Sequence, residues 1–185
     1  ATVMFPYISY RNIMNMLRGN TVAIVLIAFV MMVALKNARL GALSLIPNAI
    51  PIIFTFGLWS ILVGQIGMSS ATVSATALGI IVDDTVHFLV KYLRAKREEG
   101  LTGSRAVNYA FQTVGPAILA NTAILVLGFA ILAGSTFKIT SDMGIMTAMA
   151  IVLALVMDLL FLPALLLVRE KNTGNGVNYE TAPAM

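Results

Sequence analysis

Cysteine is absent from these 185 residues, and histidine and tryptophan each occur once. Without thiols there are no disulfides and no thiolate metal sites, and the redox compartment is left open. No metal site and no cofactor is expected. Charge is scarce too, at 11% of residues against about 25% in an ordinary soluble domain. A hydrophobic fraction of 59% and a mean hydropathy of +0.91 exclude a soluble chain and indicate an integral membrane protein. The net charge of +4 does not point to nucleic acid, because the basic residues fall between apolar segments. The chain opens Ala1-Thr2-Val3, with neither an initiator Met nor the basic start of a signal peptide. It is expected to be a fragment, or one half, of something larger.

A membrane-spanning helix needs about 20 apolar residues. The first candidate runs over 19–35, between Arg18 and Lys36. No charge occurs from Leu40 to Val82, too long for one helix, and the polar break from Gly64 to Ser70 divides it. Spans two and three are then 45–65 and 70–90, span four is 114–134, and span five is 143–168. The fold class is all-α, with five transmembrane helices at 19–168. Residues 1–18 mix apolar and polar side chains at helical spacing and are expected as an interfacial amphipathic segment. Ser104–Phe111 reads as a short amphipathic lead into span four. Pro47 and Pro51 fall in the first turns of span two, and Gly115-Pro116 is expected at the entry of span four. The polar segment 169–185 is expected as a disordered cytoplasmic tail.

Orientation follows from Lys and Arg. Nine of the twelve basic residues lie in the 36–39 turn, the 91–105 loop and the end at Arg169 and Lys171. The other side has only Arg11, Arg18 and Lys138. The basic side is cytoplasmic, so the N-terminus is expected outside and the C-terminus inside.

The most informative residues are Asp83 and Asp84, side by side within span three. A carboxylate near the bilayer centre costs about 2.5–3.5 kcal/mol on insertion scales, so an intramembrane acid marks a functional site by default. Adjacent acids also repel, and a pair able to take up and release a proton suits an ion-coupled machine. The helix before them is built of small residues on most faces, from Ser69 to Gly79, which lets neighbours approach and places span three at the bundle centre. Gly79, Asp83 and His87 are spaced by four and share one stripe, with Gly79 a helix-packing position. His87 can reach either acid, or else snorkel toward the interface. Asp84 lies roughly 10 Å inside the cytoplasmic boundary at the helical rise. Asn121 and Thr122 on span four and Asp158 on span five lie near that depth. One proton-relay patch of Asp83, Asp84, His87, Asn121, Thr122 and Asp158 could be assembled in the bundle interior. Ordinary interhelical hydrogen bonding of Asn121 and Thr122, and simple packing of Asp158 near Pro163, stay open.

In order, Ile46-Pro47-Asn48, Gly79-Ile80-Ile81-Val82-Asp83-Asp84-Thr85-Val86-His87, Gly115-Pro116-Ala117-Ile118, Gly128-Phe129, Gly144 and Asp158 with Leu162-Pro163-Ala164-Leu165 resemble a known pattern. It is that of the C-terminal membrane half of resistance-nodulation-division (RND) exporters, in particular the MMPL and lipid-exporter branch. The Gly-x-x-x-Asp-Asp element is also similar to that of Patched, Dispatched and sterol-sensing proteins. The resemblance covers about 10–170 and implies an RND-type half-bundle, spans eight to twelve of twelve, in a bacterial inner membrane. It implies proton-driven export of hydrophobic or lipid-like substrates, with Asp83 and Asp84 as the titrating pair. Membrane lipids, the remaining half of the transporter or a partner membrane subunit, and oligomerisation are the implied partners; nucleic acid is not. The porter domains and the first repeat that the pattern implies do not occur within these residues.

The alternative is a non-transporting membrane subunit or a sterol-sensing-like regulator that binds a lipid or partner protein. An enzyme is not expected. An intramembrane aspartyl protease pairing Asp83 with Asp158 would need a Gly-x-Gly-Asp element, which is absent from the sequence around Asp83.

Overall fold

The computed structural model describes residues 4–36, 41, 44–64 and 68–174. These residues are helical almost throughout, with no strand among them. Helix α1 spans Met4–Leu35, α2 Leu45–Val63, α3 Met68–Arg97, α4 Ser104–Ala133 and α5 Lys138–Val156. A π-helical turn, Met157–Phe161, joins α5 to α6, Leu162–Gly174. Five of these helical stretches are long and apolar enough to cross a membrane: 18–35, 45–63, 72–97, 104–133 and 138–168. The five expected spans are therefore all present.

Helix α3 holds the bundle together. It packs against α1, α2, α4 and α5. More than half of its span is buried, against a third or less in each of the others. Small residues explain this, since Ser70, Ser74 and Ala77 are buried and let neighbouring backbones come close. At the basic end, Phe88, Leu89 and Tyr92 of α3 pack with Met31 of α1, Ala110 of α4 and Leu166 of α6. Phe88 meets Phe111 edge to face at 5.0 Å between ring centres. Two polar ties pin α1 to α3: Asn20 Nδ2 donates to Ser74 Oγ at 2.5 Å, and Arg97 Nη2 donates to the carbonyl of Leu35 at 3.2 Å. The second tie satisfies a carbonyl in the last turn of α1 that has no partner along its own helix.

Several elements differ from the sequence reading. The segment before residue 19 is one helix with the first span from Met4 onward. At 1.5 Å per residue α1 is about 48 Å long, well beyond a hydrocarbon core of about 30 Å. Helix α4 likewise absorbs 104–111, so Pro116 lies inside it rather than at its entry. Its missing N–H and its ring against the carbonyl of residue 112 are tolerated mid-helix. Helix α5 starts at Lys138, five residues before the expected 143. Helix α3 runs to Arg97, and its exit turns at Gly100, whose φ of 62° suits a residue without Cβ. Gly64, at φ 72°, closes α2 where the break was expected; 65–67 lie outside the described residues. So does most of the expected tail, from 175 on, while 169–174 continue α6.

Close glycine contact occurs at Gly144. A Cβ there would lie 2.5 Å from the Ala133 nitrogen and 2.6 Å from the Phe129 carbonyl oxygen, so α5 and α4 touch backbone to backbone.

Candidate functional site

Asp83, Asp84 and Thr85 are consecutive, and a helix turns about 100° per residue. They therefore point in three directions. Asp83 faces outward, its side chain 65% exposed, whereas Asp84 is 8% and Thr85 0% exposed. Each meets a different partner.

Asp83 pairs with His87 one turn on, with His87 Nε2 3.5 Å from Asp83 Oδ1. Their contact becomes an ion pair when the imidazole is protonated. Gly79 shares this face, and a Cβ built on it would meet nothing within 4 Å. The expected packing role of Gly79 thus has no partner helix among the described residues. The stripe Gly79–Asp83–His87 lies on the outside of the five-helix bundle.

Asp84 turns toward α4, where Asn121 Nδ2 donates to its Oδ1 at 3.3 Å. Asn121 is otherwise exposed, so this long hydrogen bond lies at the rim of the α3–α4 contact. Thr122 is buried, and its hydroxyl finds no hydrogen-bond partner. Of the six residues of the expected patch, the structure brings Asp84 to Asn121 and Asp83 to His87, in two separate places. Asp83 itself lies on the exposed face of α3, away from Asn121 and Asp158.

Thr85 turns toward α2 and the π-turn. Its Oγ1 lies 2.8 Å from Asp158 Oδ1, 2.6 Å from Asn48 Oδ1 and 3.3 Å from the carbonyl of Ile81. Asp158 is 3% and Asn48 1% exposed. Asp158 therefore reaches α3 through a hydroxyl, and it bonds to neither aspartate directly. Its position has a local cause. Pro163 follows two turns of apolar helix; its ring would strike the carbonyl of residue 159 and it has no N–H to offer. The backbone widens instead, and the Leu162 N–H reaches back five residues to the carbonyl of Met157. Such π-turns are rare and cluster at functional sites. Here the turn carries the only acid of its span's interior.

Asn48 and Thr85 were not among the candidates read from sequence. Asn48 was visible as the one amide within the otherwise apolar α2. Thr85 was visible as the hydroxyl adjoining the two acids. Spacing alone could not bring them together, because 37 residues separate them and the meeting depends on how α2 packs against α3. Among the described residues no cluster of three His, Cys, Asp or Glu side chains could hold a metal ion.

The sequence pattern of the MMPL family matches residues 13–174. The membrane protein MJ1562 of Methanocaldococcus jannaschii is 26% identical over 152 residues, 82% of this chain and 39% of that protein. The toluene efflux pump membrane transporter TtgB of Pseudomonas putida is 25% identical over 169 residues, 88% of this chain and 16% of the pump. The hopanoid transporter HpnN of Burkholderia multivorans is 26% identical over 148 residues, 80% of this chain and 17% of that transporter. The chain spans well under half the length of each of these relatives. With nearly its whole length inside the family match, the chain belongs to the MMPL family, the RND-superfamily branch that its acid motif and proline marks resemble.

Proposed function

We propose that this chain is the proton-coupling membrane part of an RND-type exporter of hydrophobic or lipid-like substrates. One observation carries the reading: a carboxylate and an imidazole, Asp83 and His87, stand exposed on the outer face of a bundle whose spans are otherwise apolar. Intramembrane ionisable groups face a protein interior or a water-filled path and are avoided at the lipid surface. The Gly79–Asp83–His87 face is therefore covered by further helices, supplied by the rest of the transporter or by a partner membrane subunit. Gly79 allows such a helix to approach closely. Protons pass along that seam, with Asp83 and Asp84 as the carriers and His87 and Asn121 as their immediate partners. The efflux and hopanoid relatives support the substrate class. The location is a bacterial inner membrane, crossed five times by this part, and the working unit is an oligomer.

The orientation belongs to the same proposal, with Lys96 and Arg97 cytoplasmic and Tyr7 outside. Single cysteines at these positions, introduced into a chain that has none of its own, should react with an impermeant thiol reagent from opposite sides. Reaction of all three from one side would remove the orientation.

Transport is tested in vesicles containing the full-length transporter, with an imposed pH gradient. Asp83→Asn and Asp84→Asn should each abolish proton-driven export while leaving the protein inserted and folded. Export at the unmodified rate with both acids replaced would refute the proposal, whereas no export by the unmodified protein would favour a non-transporting regulator.

A further inference from the structure

Three oxygen atoms line up across three helical elements: Asn48 Oδ1 on α2, Thr85 Oγ1 on α3 and Asp158 Oδ1 on the π-turn, at 2.6 and 2.8 Å. Both distances are within hydrogen-bonding range. A threonine hydroxyl carries one hydrogen, so it can donate to only one of the two oxygens beside it in the row, the Ile81 carbonyl at 3.3 Å being the longer third contact. The other contact needs a hydrogen from elsewhere. Only two sources exist within the row, the carboxyl of Asp158 or the amide nitrogen of Asn48. That nitrogen, Asn48 Nδ2, is buried and has no hydrogen-bond partner among the described residues.

We infer that Asn48, Thr85 and Asp158 form a proton-responsive relay, in which the protonation state of Asp158 sets the direction of the Thr85 hydroxyl and the orientation of the Asn48 amide. This deepens the exporter reading and rests on it. With a proton on Asp158, its O–H donates to Thr85 Oγ1, and Thr85 donates to Asn48 Oδ1. When Asp158 releases that proton to water, the Thr85 hydroxyl turns to donate to the carboxylate. Asn48 Oδ1 then faces a lone pair, and the amide turns over so that Nδ2 donates to Thr85 Oγ1. One proton leaves, one hydroxyl rotates and one amide inverts; no other bond changes. The buried amide always keeps one atom without a partner, the nitrogen in the first state and the oxygen in the second. Asn48 keeps one hydrogen bond in each state, so the amide's own count of partners does not choose between them.

The relay ends on segments that can respond. Asn48 lies between Pro47 and Pro51, and Pro51 leaves the carbonyl of Pro47 without its ladder hydrogen bond. Asp158 occupies the π-turn, where the ladder is already displaced by one residue. A regular helix, α3, therefore connects two irregular ones through a single hydroxyl. Few other charges bear on Asp158. Helix α2 contributes no titratable side chain. On α3, Asp84 is buried next to Thr85, while Asp83 and His87 face away. Lys138 and Asp142 sit at the far end of α5, and Arg169, Glu170 and Lys171 at the far end of α6.

Infrared difference spectra of the full-length transporter in vesicles, taken between low and high pH, test the relay. We expect a carboxyl C=O band that vanishes in Asp158→Asn, together with a side-chain amide band that vanishes in Asn48→Leu. In Thr85→Val the carboxyl band should move to higher frequency and the Asn48 amide signal should disappear. In Thr85→Ser, which keeps the hydroxyl, both should return. Should Asp158→Asn fail to fold, the Val/Ser pair at Thr85 still decides, because both variants keep every aspartate. A band unmoved by Thr85→Val, or no titrating aspartate other than Asp83 and Asp84, would overturn the relay. Export measured in parallel keeps the two ideas apart. If Asp83→Asn stops export while the Asp158 signals are absent, the relay fails and the exporter reading stands.

Discussion

The two faces of α3 place the same kind of chemistry in opposite surroundings. On the outer face Asp83 and His87 are each more than 60% exposed and, among the described residues, pair with each other alone. On the inner faces Asp84 and Thr85 are buried and are held by α4, α2 and the π-turn. Three consecutive residues thus serve one external and two internal partners. Among the described residues the outer pair has no partner beyond itself, and the proposed reason for it is a helix outside this chain. The inner groups already have partners, and their removal should be felt by the bundle itself.

The largest effects should follow this division. Asp83→Ala is expected to abolish transport and yet change the unfolding free energy by no more than about 0.5 kcal/mol, as for surface positions without partners. Asp158→Ala should cost about 1–3 kcal/mol, because the Thr85 hydroxyl loses a buried partner. Thermal or denaturant unfolding in detergent measures both. Equal destabilisation by the two substitutions would erase the distinction between the faces.

The glycines sharpen the same comparison. Gly144→Ala should destabilise by about 1–3 kcal/mol, since its Cβ would overlap the α4 backbone and no flexible side chain can yield. Gly79→Ala meets empty space here and should raise the stability of the isolated bundle by up to about 1 kcal/mol through helix propensity. In the full-length transporter the same change should lower export, because a methyl group would enter the seam assigned to a further helix. Unchanged export in Gly79→Ala would argue that no helix approaches there.

Much of this was legible in the residues. Hydropathy and the break at Gly64 located all five spans, because length and apolar content are properties of a segment by itself. The acid motif identified the helix that matters, because a carboxylate within an apolar run is costly and is kept where it is used. Helix ends were less legible: nothing near 19 or 111 stops a helix, so the expected amphipathic pieces fused with their spans. Depth was readable but azimuth was not. Asp83, Asp84, Asn121 and Asp158 could be ranked along the membrane normal by counting residues. Which of them face each other depends on how each helix is rotated, and packing against the other helices decides that. The π-turn was hidden for a related reason: Pro163 announces a disturbance, but not whether the helix kinks or widens.

A smaller effect is expected at Asn121. Its hydrogen bond to Asp84 is long, at 3.3 Å, and the residue sits at the rim of its contact. Asn121→Leu should change the pH profile of transport while leaving the dependence on substrate concentration as it was. A change in substrate dependence alone would place Asn121 on the substrate path and outside the proton path.

The smallest effect is expected one residue later. Thr122 was a relay candidate on depth, yet its hydroxyl is buried with no hydrogen-bond partner, while Asn121 beside it reaches Asp84. A buried hydroxyl without a partner carries its desolvation cost without return. Valine keeps the branched shape and removes the polar atom. Thr122→Val should therefore leave the bundle as stable or make it more stable by up to about 1 kcal/mol, with the pH profile of transport unchanged. Thr85→Val makes the control, because there the same atom is removed from a hydroxyl bonded on two sides, and a loss of stability is expected. If Thr122→Val instead shifts the pH profile as Asn121→Leu does, Thr122 is part of the proton path, and its partner lies on a helix outside this chain.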